Sequence, residues 1–259
     1  DLVLVRGNGE TWVEVQLQSG LRPADGRLQL DLEDLEADTV YSVVFYAEGG
    51  TRRSRVSRFR TGLDMDGWRK LTIGATSCLG SADRPWPSMS QLAEEDVDLF
   101  LFLGDMVYAS HATSLEDFKS EWSTALRTAG LQDVCAHSAM VATWDDHEVV
   151  NNFEGLNIDP DVLNAALTAF RQAIPQRMGP GGTGLWRLLS WGRVLDIFVL
   201  DCRGERDGGS FYISSEQMDW LKSGLKQSAA RFKFIVNSVP ITDYYTMLLD
   251  TYAEDRWQC

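Results

Sequence analysis

The chain has 259 residues, 44% of them hydrophobic, with nine tryptophans and a formal net charge of −14. That length holds either one large domain or a small module joined to a larger one, with apolar residues enough for a packed core. No apolar run approaches the roughly 20 residues that span a membrane, and so acidic a chain offers no basic groove for nucleic acid.

Residues 1–62 read as a small all-β module. Residues 12–17 and 27–32 alternate apolar and polar side chains with period two. Residues 35–46 end in a longer strand that turns at Glu48-Gly49-Gly50 and returns through 55–61. The opening residues, Asp1-Leu2-Val3, have no signal-peptide pattern. A polar, glycine-bearing stretch at 62–69 reads as a linker to a second domain, 70–259. Its first strand, 71–76, ends at Ser77-Cys78-Leu79-Gly80. A helix over 88–95 leads to the apolar run 99–103, which stops at Gly104-Asp105-Met106-Val107-Tyr108. A β-α-β order of this kind implies a parallel strand pair.

Leu115, Phe118, Trp122 and Leu126 fall at helical spacing and predict one amphipathic helix over 114–131. A second apolar run, 139–143, stops at Trp144-Asp145-Asp146-His147-Glu148. Then come a helix over 161–177, a Gly179-Pro180-Gly181-Gly182 loop, and a strand pair over 185–191 and 194–200. A serine-capped helix over 215–227 and a strand over 232–236 follow. The fold class is α/β: an N-terminal all-β sandwich followed by an α/β domain.

The two apolar runs have the composition of strands buried on both faces, and the loops past such strand ends are where α/β folds bind ligands. Here those loops carry four carboxylates, a tyrosine and a histidine. Hard oxygen donors with one imidazole suit a metal centre that handles phosphate. A Gly-Asp after a strand is often only a turn. Asp145, Asp146 and Glu148 are harder to dismiss, because like charges crowded around one histidine cost stability unless a cation offsets them. Bound cations would also reverse, locally, the repulsion an acidic protein presents to phosphate. Cys78, Cys135, Cys202 and Cys259 form no C-x-x-C pair, which argues against zinc-finger and thioredoxin chemistry. A lone cysteine is usually a small buried hydrophobe, so Cys78 draws interest only from its place at a strand end. In Asp201-Cys202-Arg203-Gly204-Glu205-Arg206, the planar fork of Arg203 suits phosphate oxygens; the competing reading is a structural pair of Asp201 with Arg203 or Arg206. His111 and His137 stand outside the motifs. No G-x-S-x-G elbow supports a serine hydrolase.

Phe102-Leu103-Gly104-Asp105-Met106-Val107-Tyr108, followed by Trp144 to Asn152, resembles the PhoD-type alkaline phosphatase and phosphodiesterase family of calcineurin-like metallophosphoesterases. The resemblance implies that Cys78, Asp105 and Tyr108 bind a ferric iron, with Asp105 bridging to calcium or another divalent ion. Asp146 falls where related enzymes place a ligand to the second metal. His147 would protonate the leaving oxygen or stabilise developing charge, Arg203 would hold phosphate oxygens, and Glu148 would fix the His147 ring. Asn237, ahead of Ser238-Val239, is a weaker candidate. The implied reaction is phosphoric ester hydrolysis by in-line attack of a metal-bound hydroxide. The N-terminal module resembles a fibronectin type III sandwich, with Tyr41 at the tyrosine corner. Family members often leave the cytoplasm, so a periplasmic or secreted location is expected. The family's later Gly-Asp-x-His strand end has no counterpart before Asp255-Arg256-Trp257-Gln258-Cys259, so the domain reads as incomplete at its C-terminal side. The competing reading is a catalytically silent binding or adhesion protein on a degenerate phosphatase scaffold.

Overall fold

The structure, a computed structural model, describes residues 1–7, 12–24, 26–47, 49–179, 182, 184–208 and 211–240. Glu48 of the expected hairpin turn, Pro180 and Gly181 of the glycine-rich loop, and Asp255 to Cys259 lie outside these residues. Among the described residues the strands form three sheets.

The first sheet is antiparallel, with β1 (Leu2–Gly7), β2 (Trp12–Gln18), β3 (Val40–Phe45) and β4 (Ser57–Arg60) in the order β2-β1-β3-β4. Leu2, Leu4 and Tyr41 are its buried core. The expected strand over 27–32 is not one. Beyond an isolated bridge between Ala24 and Arg27 it makes no ladder. Its Leu30 and Leu32 instead pack against the sheet core, so the period-two pattern reports which side faces the sheet, not strand pairing. Gln29, pointing the other way, donates to the carbonyls of Arg171 and Gln172 at 2.8 and 3.0 Å. Among the described residues the module is therefore one sheet covered by an irregular strap, not the two facing sheets of a fibronectin-type sandwich. The Tyr41 hydroxyl nonetheless accepts the Glu36 N–H at 2.9 Å, the backbone bond expected of a tyrosine corner.

The second sheet is parallel, with β5 (Ile73–Thr76), β6 (Leu99–Leu103) and β7 (Ala139–Thr143) in that order. The third holds β8 (Arg187–Trp191), β9 (Leu195–Val199) and β10 (Phe232–Val236), with β9 central, antiparallel to β8 and parallel to β10. Alternation along β6 explains how they stack. Leu99 and Leu101 join Val141, Leu195, Ile197 and Val199 in a cluster between the two sheets. Phe100 and Phe102 point the other way, to Phe118, Trp122 and Phe170 of the helices. On that side lie α1 (Pro87–Leu92), α2 (Leu115–Leu126), α3 (Ala129–His137) and α4 (Pro160–Ala173). Over the outer face of the third sheet, α5 (Ser215–Gln227) packs Leu221 against Phe198 and Leu200. Strands buried on both faces are thus covered by helices on one side and an opposing sheet on the other. Each fully buried aromatic of this kind contributes roughly 1.5–3 kcal/mol.

The single helix expected over 114–131 is two. Ser114 caps α2 through a reciprocal pair with Asp117. The chain then turns at Arg127 and Thr128, because Gly130 must meet the loop before α1. Its N–H donates to the Pro85 carbonyl at 3.0 Å, and a Cβ there would lie 2.3 Å from the Trp86 carbonyl oxygen. Among the described residues no helix is long and apolar enough to cross a membrane. Cys78, Cys135 and Cys202 are free thiols.

Candidate metal centre

The loops after β5, β6, β7, β9 and β10 converge at one end of the paired sheets. Gly104 (φ +102°) lets two of them touch: a Cβ there would lie 2.6 Å from the Asp145 Cβ and 2.8 Å from its nitrogen. Cys78 (φ 55°) and Asp105 (φ 60°) hold the left-handed region, which non-glycine residues rarely adopt and which costs on the order of 1–3 kcal/mol each. The Cys78 and Leu79 N–H groups tie this strain down by donating to the carbonyls of Gly104 and Asp105.

Glu148 pins the remaining backbone. Only 1% exposed, it accepts the N–H groups of Asp105 (3.1 Å), Met106 (2.6 Å) and Asp145 (2.9 Å). The expectation that it fixes the His147 ring is therefore corrected, since its oxygens are spent on three amides in two loops. The ring is met instead by the Ser110 Oγ, 3.1 Å from Nδ1, and by the Tyr108 ring, centroids 4.3 Å apart. The His147 backbone amide donates to Asp105 Oδ1 at 3.2 Å, and its carbonyl accepts from Ala109 at 2.8 Å.

One donor atom each from Asp105, Asp146 and His147 lies within 4.8 Å of the others. The Cys78 Sγ is 3.5 Å from Asp105 Oδ2, which places a sulfur beside this oxygen–nitrogen cluster. Burial, then the charges of Glu148, Asp145 and Asp146, push the Asp105 carboxyl up to about 8. Burial raises Glu148 to about 7 against the pull of its three amide donors. Cys78 keeps solvent access on one side, yet partial desolvation and the nearby Asp105 and Asp145 lift its thiol to about 11. Burial, then the Asp105 charge, raises the Tyr108 phenol. Carboxylates crowded together in a protein that keeps them from water are what a bound cation would stabilise. The residues fit a metal: oxygen donors for a hard ion, with thiol and phenol available to a ferric one.

Arg203 is placed differently from expectation. It is 1% exposed, and its Nε and Nη2 donate to the two oxygens of Asp145 at 2.7 and 3.3 Å. Its fork grips a carboxylate of the β7 loop, and Asp146 Oδ1 lies 4.0 Å from Nη2. Asp201 is not its side-chain partner. That carboxylate accepts the indole N–H of Trp144 at 2.8 Å and the Arg203 and Gly204 amides. From the end of β10 it is Ser238 that reaches the site, its Oγ donating to Asp145 Oδ1 at 2.8 Å. The Asn237 side chain accepts from its own turn at Val239. Ser110 and Ser238 were not singled out from sequence; only Ser110's position two residues beyond Tyr108 could have drawn attention to it. His111 sits 3.3 Å from Glu121 at the surface, and the His137 ring faces the Asp133 carbonyl, both apart from the cluster.

The PhoD-like phosphatase family model matches residues 73–259. The chain belongs to that family. This PhoD-like chain is 24% identical to alkaline phosphatase D of Bacillus subtilis, over 89% of its own length and 48% of the relative's. It superposes on a solved structure of PhoD with a TM-score of 0.72 at 20% identity, covering 90% of this chain and 54% of that one. A purple acid phosphatase from yellow lupin seeds shares the fold with a TM-score of 0.62 at 13% identity, over 94% and 46% of the respective chains. The PhoD-like chain therefore spans about half the length of the relatives it matches.

Proposed function

We propose that this chain is the core of a metal-dependent phosphoesterase that hydrolyses phosphate mono- or diesters at the Asp105–Asp146–His147 cluster. The convergence of these three side chains within 4.8 Å, beside a cysteine sulfur and at the shared end of the strands, carries the reading. Cys78, Asp105 and Tyr108 would hold a ferric iron, and Asp105 and Asp146 a divalent ion such as calcium. Bound cations would supply Lewis acidity, neutralising phosphoryl oxygens and acidifying an attacking water. The His147 ring donates a hydrogen bond to the leaving oxygen and stabilises the charge that develops there. Arg203 serves by holding Asp145 and placing a buried positive charge beneath the phosphate site. The substrate is a phosphate ester, and the working location is outside the cytoplasm, in keeping with the PhoD-type resemblance.

Metal analysis with a visible absorption spectrum tests this reading. Iron near stoichiometry, with a phenolate or thiolate charge-transfer band that Tyr108→Phe or Cys78→Ser removes, is the expected result. A colourless protein that neither iron nor calcium reconstitutes, and that cleaves no nitrophenyl phosphate or bis-ester, would refute it.

A further inference from the structure

His147 is gripped on three sides by the short segment Tyr108-Ala109-Ser110. Tyr108 lies against its ring, Ala109 donates to its carbonyl, and the Ser110 Oγ meets Nδ1. The Ser110 hydroxyl has a second partner, the Asn151 N–H, which donates to the Oγ at 3.3 Å. An amide can only donate, so this bond takes one of the two acceptor sites of the hydroxyl and leaves its single proton to be given elsewhere. The ring nitrogen, 3.1 Å away, lies within reach of that proton.

We infer that Ser110 is a positioning residue that donates its hydroxyl proton to Nδ1 and so fixes His147 as the Nε2–H tautomer. The neutral ring then carries its proton on the nitrogen not held by Ser110. That nitrogen then serves as a hydrogen-bond donor, a role apart from the cation ligation proposed for Asp105 and Asp146. The inference deepens the phosphoesterase reading and rests on it for what the Nε2–H meets. No proton need leave the ring: the Nε2–H bond stays intact while it stabilises the leaving oxygen, and water protonates that oxygen after departure. A donor of this kind matters most where the leaving oxygen is strongly basic and gathers the most charge.

The test has two readouts. The chain has three histidines, and His111→Gln and His137→Gln isolate the His147 signals in long-range proton–nitrogen correlation spectra of labelled protein. Spectra are recorded near pH 9, well above the ordinary imidazole range. The expected pattern is a protonated Nε2 and a bare, hydrogen-bonded Nδ1 in the parent. Ser110→Ala should mix the tautomers and Ser110→Thr should restore the pattern; Ser110 is exposed, so neither change threatens folding. A protonated Nδ1 in the parent, or a tautomer unmoved by Ser110→Ala, overturns the inference. The second readout is leaving-group dependence on the metal-loaded protein. Ser110→Ala should lower kcat about 10-fold on alkyl phosphates, as one lost hydrogen bond to the ring would, and far less on p-nitrophenyl phosphate. An equal loss on both overturns the catalytic part. The tautomer is read whether or not the protein hydrolyses phosphate, so failure of the activity and failure of Ser110's role are told apart.

Discussion

Stripping cations from the centre should make stability fall as pH rises, the opposite of ordinary acid denaturation. The Asp105 carboxyl, ordinarily near 3.8, sits at about 8 in the folded protein because burial and three neighbouring carboxylates disfavour its charge. Between those values the folded state holds a proton that the unfolded state has released. Stability is therefore full below about pH 4 for this group, and is lost as pH rises toward 8. Fully developed, a displacement of that size corresponds to roughly 5–6 kcal/mol at 1.36 kcal/mol per pH unit. Glu148, raised from 4.5 to about 7, moves in the same direction. The two charges raise each other, so their losses overlap and do not add. Even one such term rivals the whole stability of an ordinary domain, about 5–15 kcal/mol. Carboxylates held low by partners, such as Asp98 with Arg69, act only below about pH 4 and leave the window clean. Thermal unfolding of chelator-treated protein from pH 5 to pH 9 should show a steep decline that added calcium or iron abolishes. A midpoint that is flat or rises across pH 5–8 without metal would refute the electrostatic account of the cluster.

Two substitutions separate the chemistry from the scaffold. His147→Ala should lower turnover by about 10²-fold or more, the scale of a lost donor to developing charge, while metal content measured by elemental analysis stays close to the parent; equal loss of both would sink the donor role. Gly104→Ala forces a Cβ to within 2.6 Å of Asp145 at a φ that side chains rarely adopt, so the β6 and β7 loops must part. Calorimetric titration should find cation affinity weakened at least about 10-fold, with the far-ultraviolet spectrum unchanged, because a shift of about 1 Å in the ligands matters more to a site than to the fold.

The side chains that the structure brings into the cluster were legible because they are local. Gly104-Asp105 and Asp145-Asp146-His147 each follow a short apolar run, and a strand end followed by acids can be read directly. What binds those loops to one another was not legible. Glu148 and Asp105 are 43 positions apart, and the Arg203–Asp145 pair spans 58. Nothing in Asp201-Cys202-Arg203 says that its arginine turns toward another loop, whereas the adjacent Asp201 offered a nearer but incorrect partner. The same limit explains the N-terminal module. Leu30 and Leu32 keep strand-like alternation because they face a sheet, and only the missing ladder distinguishes a strap from a strand. The break between α2 and α3 likewise depends on the Trp86 carbonyl, far from Gly130 in sequence.

Arg203 and Ser238, from the third sheet, converge on Asp145 of the second, so the site's geometry depends on how the two sheets face each other. The Arg203 guanidinium and the Ser238 hydroxyl both bond Asp145, whereas the charges of Asp105 and Glu148 call for another balance. Protons do this when cations are absent: Asp105 at about 8 and Glu148 at about 7 retain them near neutral pH, and the Cys78 thiol at about 11 does so more firmly. A cation that takes Asp105 and Cys78 as ligands must displace theirs, since carboxylate and thiolate are the binding forms. Cation binding at about pH 6.5 should therefore release at least one proton, and affinity should climb as pH approaches 8. Titration calorimetry in two buffers of different ionisation enthalpy counts the protons directly. Binding with no buffer dependence and a pH-independent affinity would mean that the cation sits elsewhere, on carboxylates already charged, and that the Asp105–Cys78 pair is not its seat.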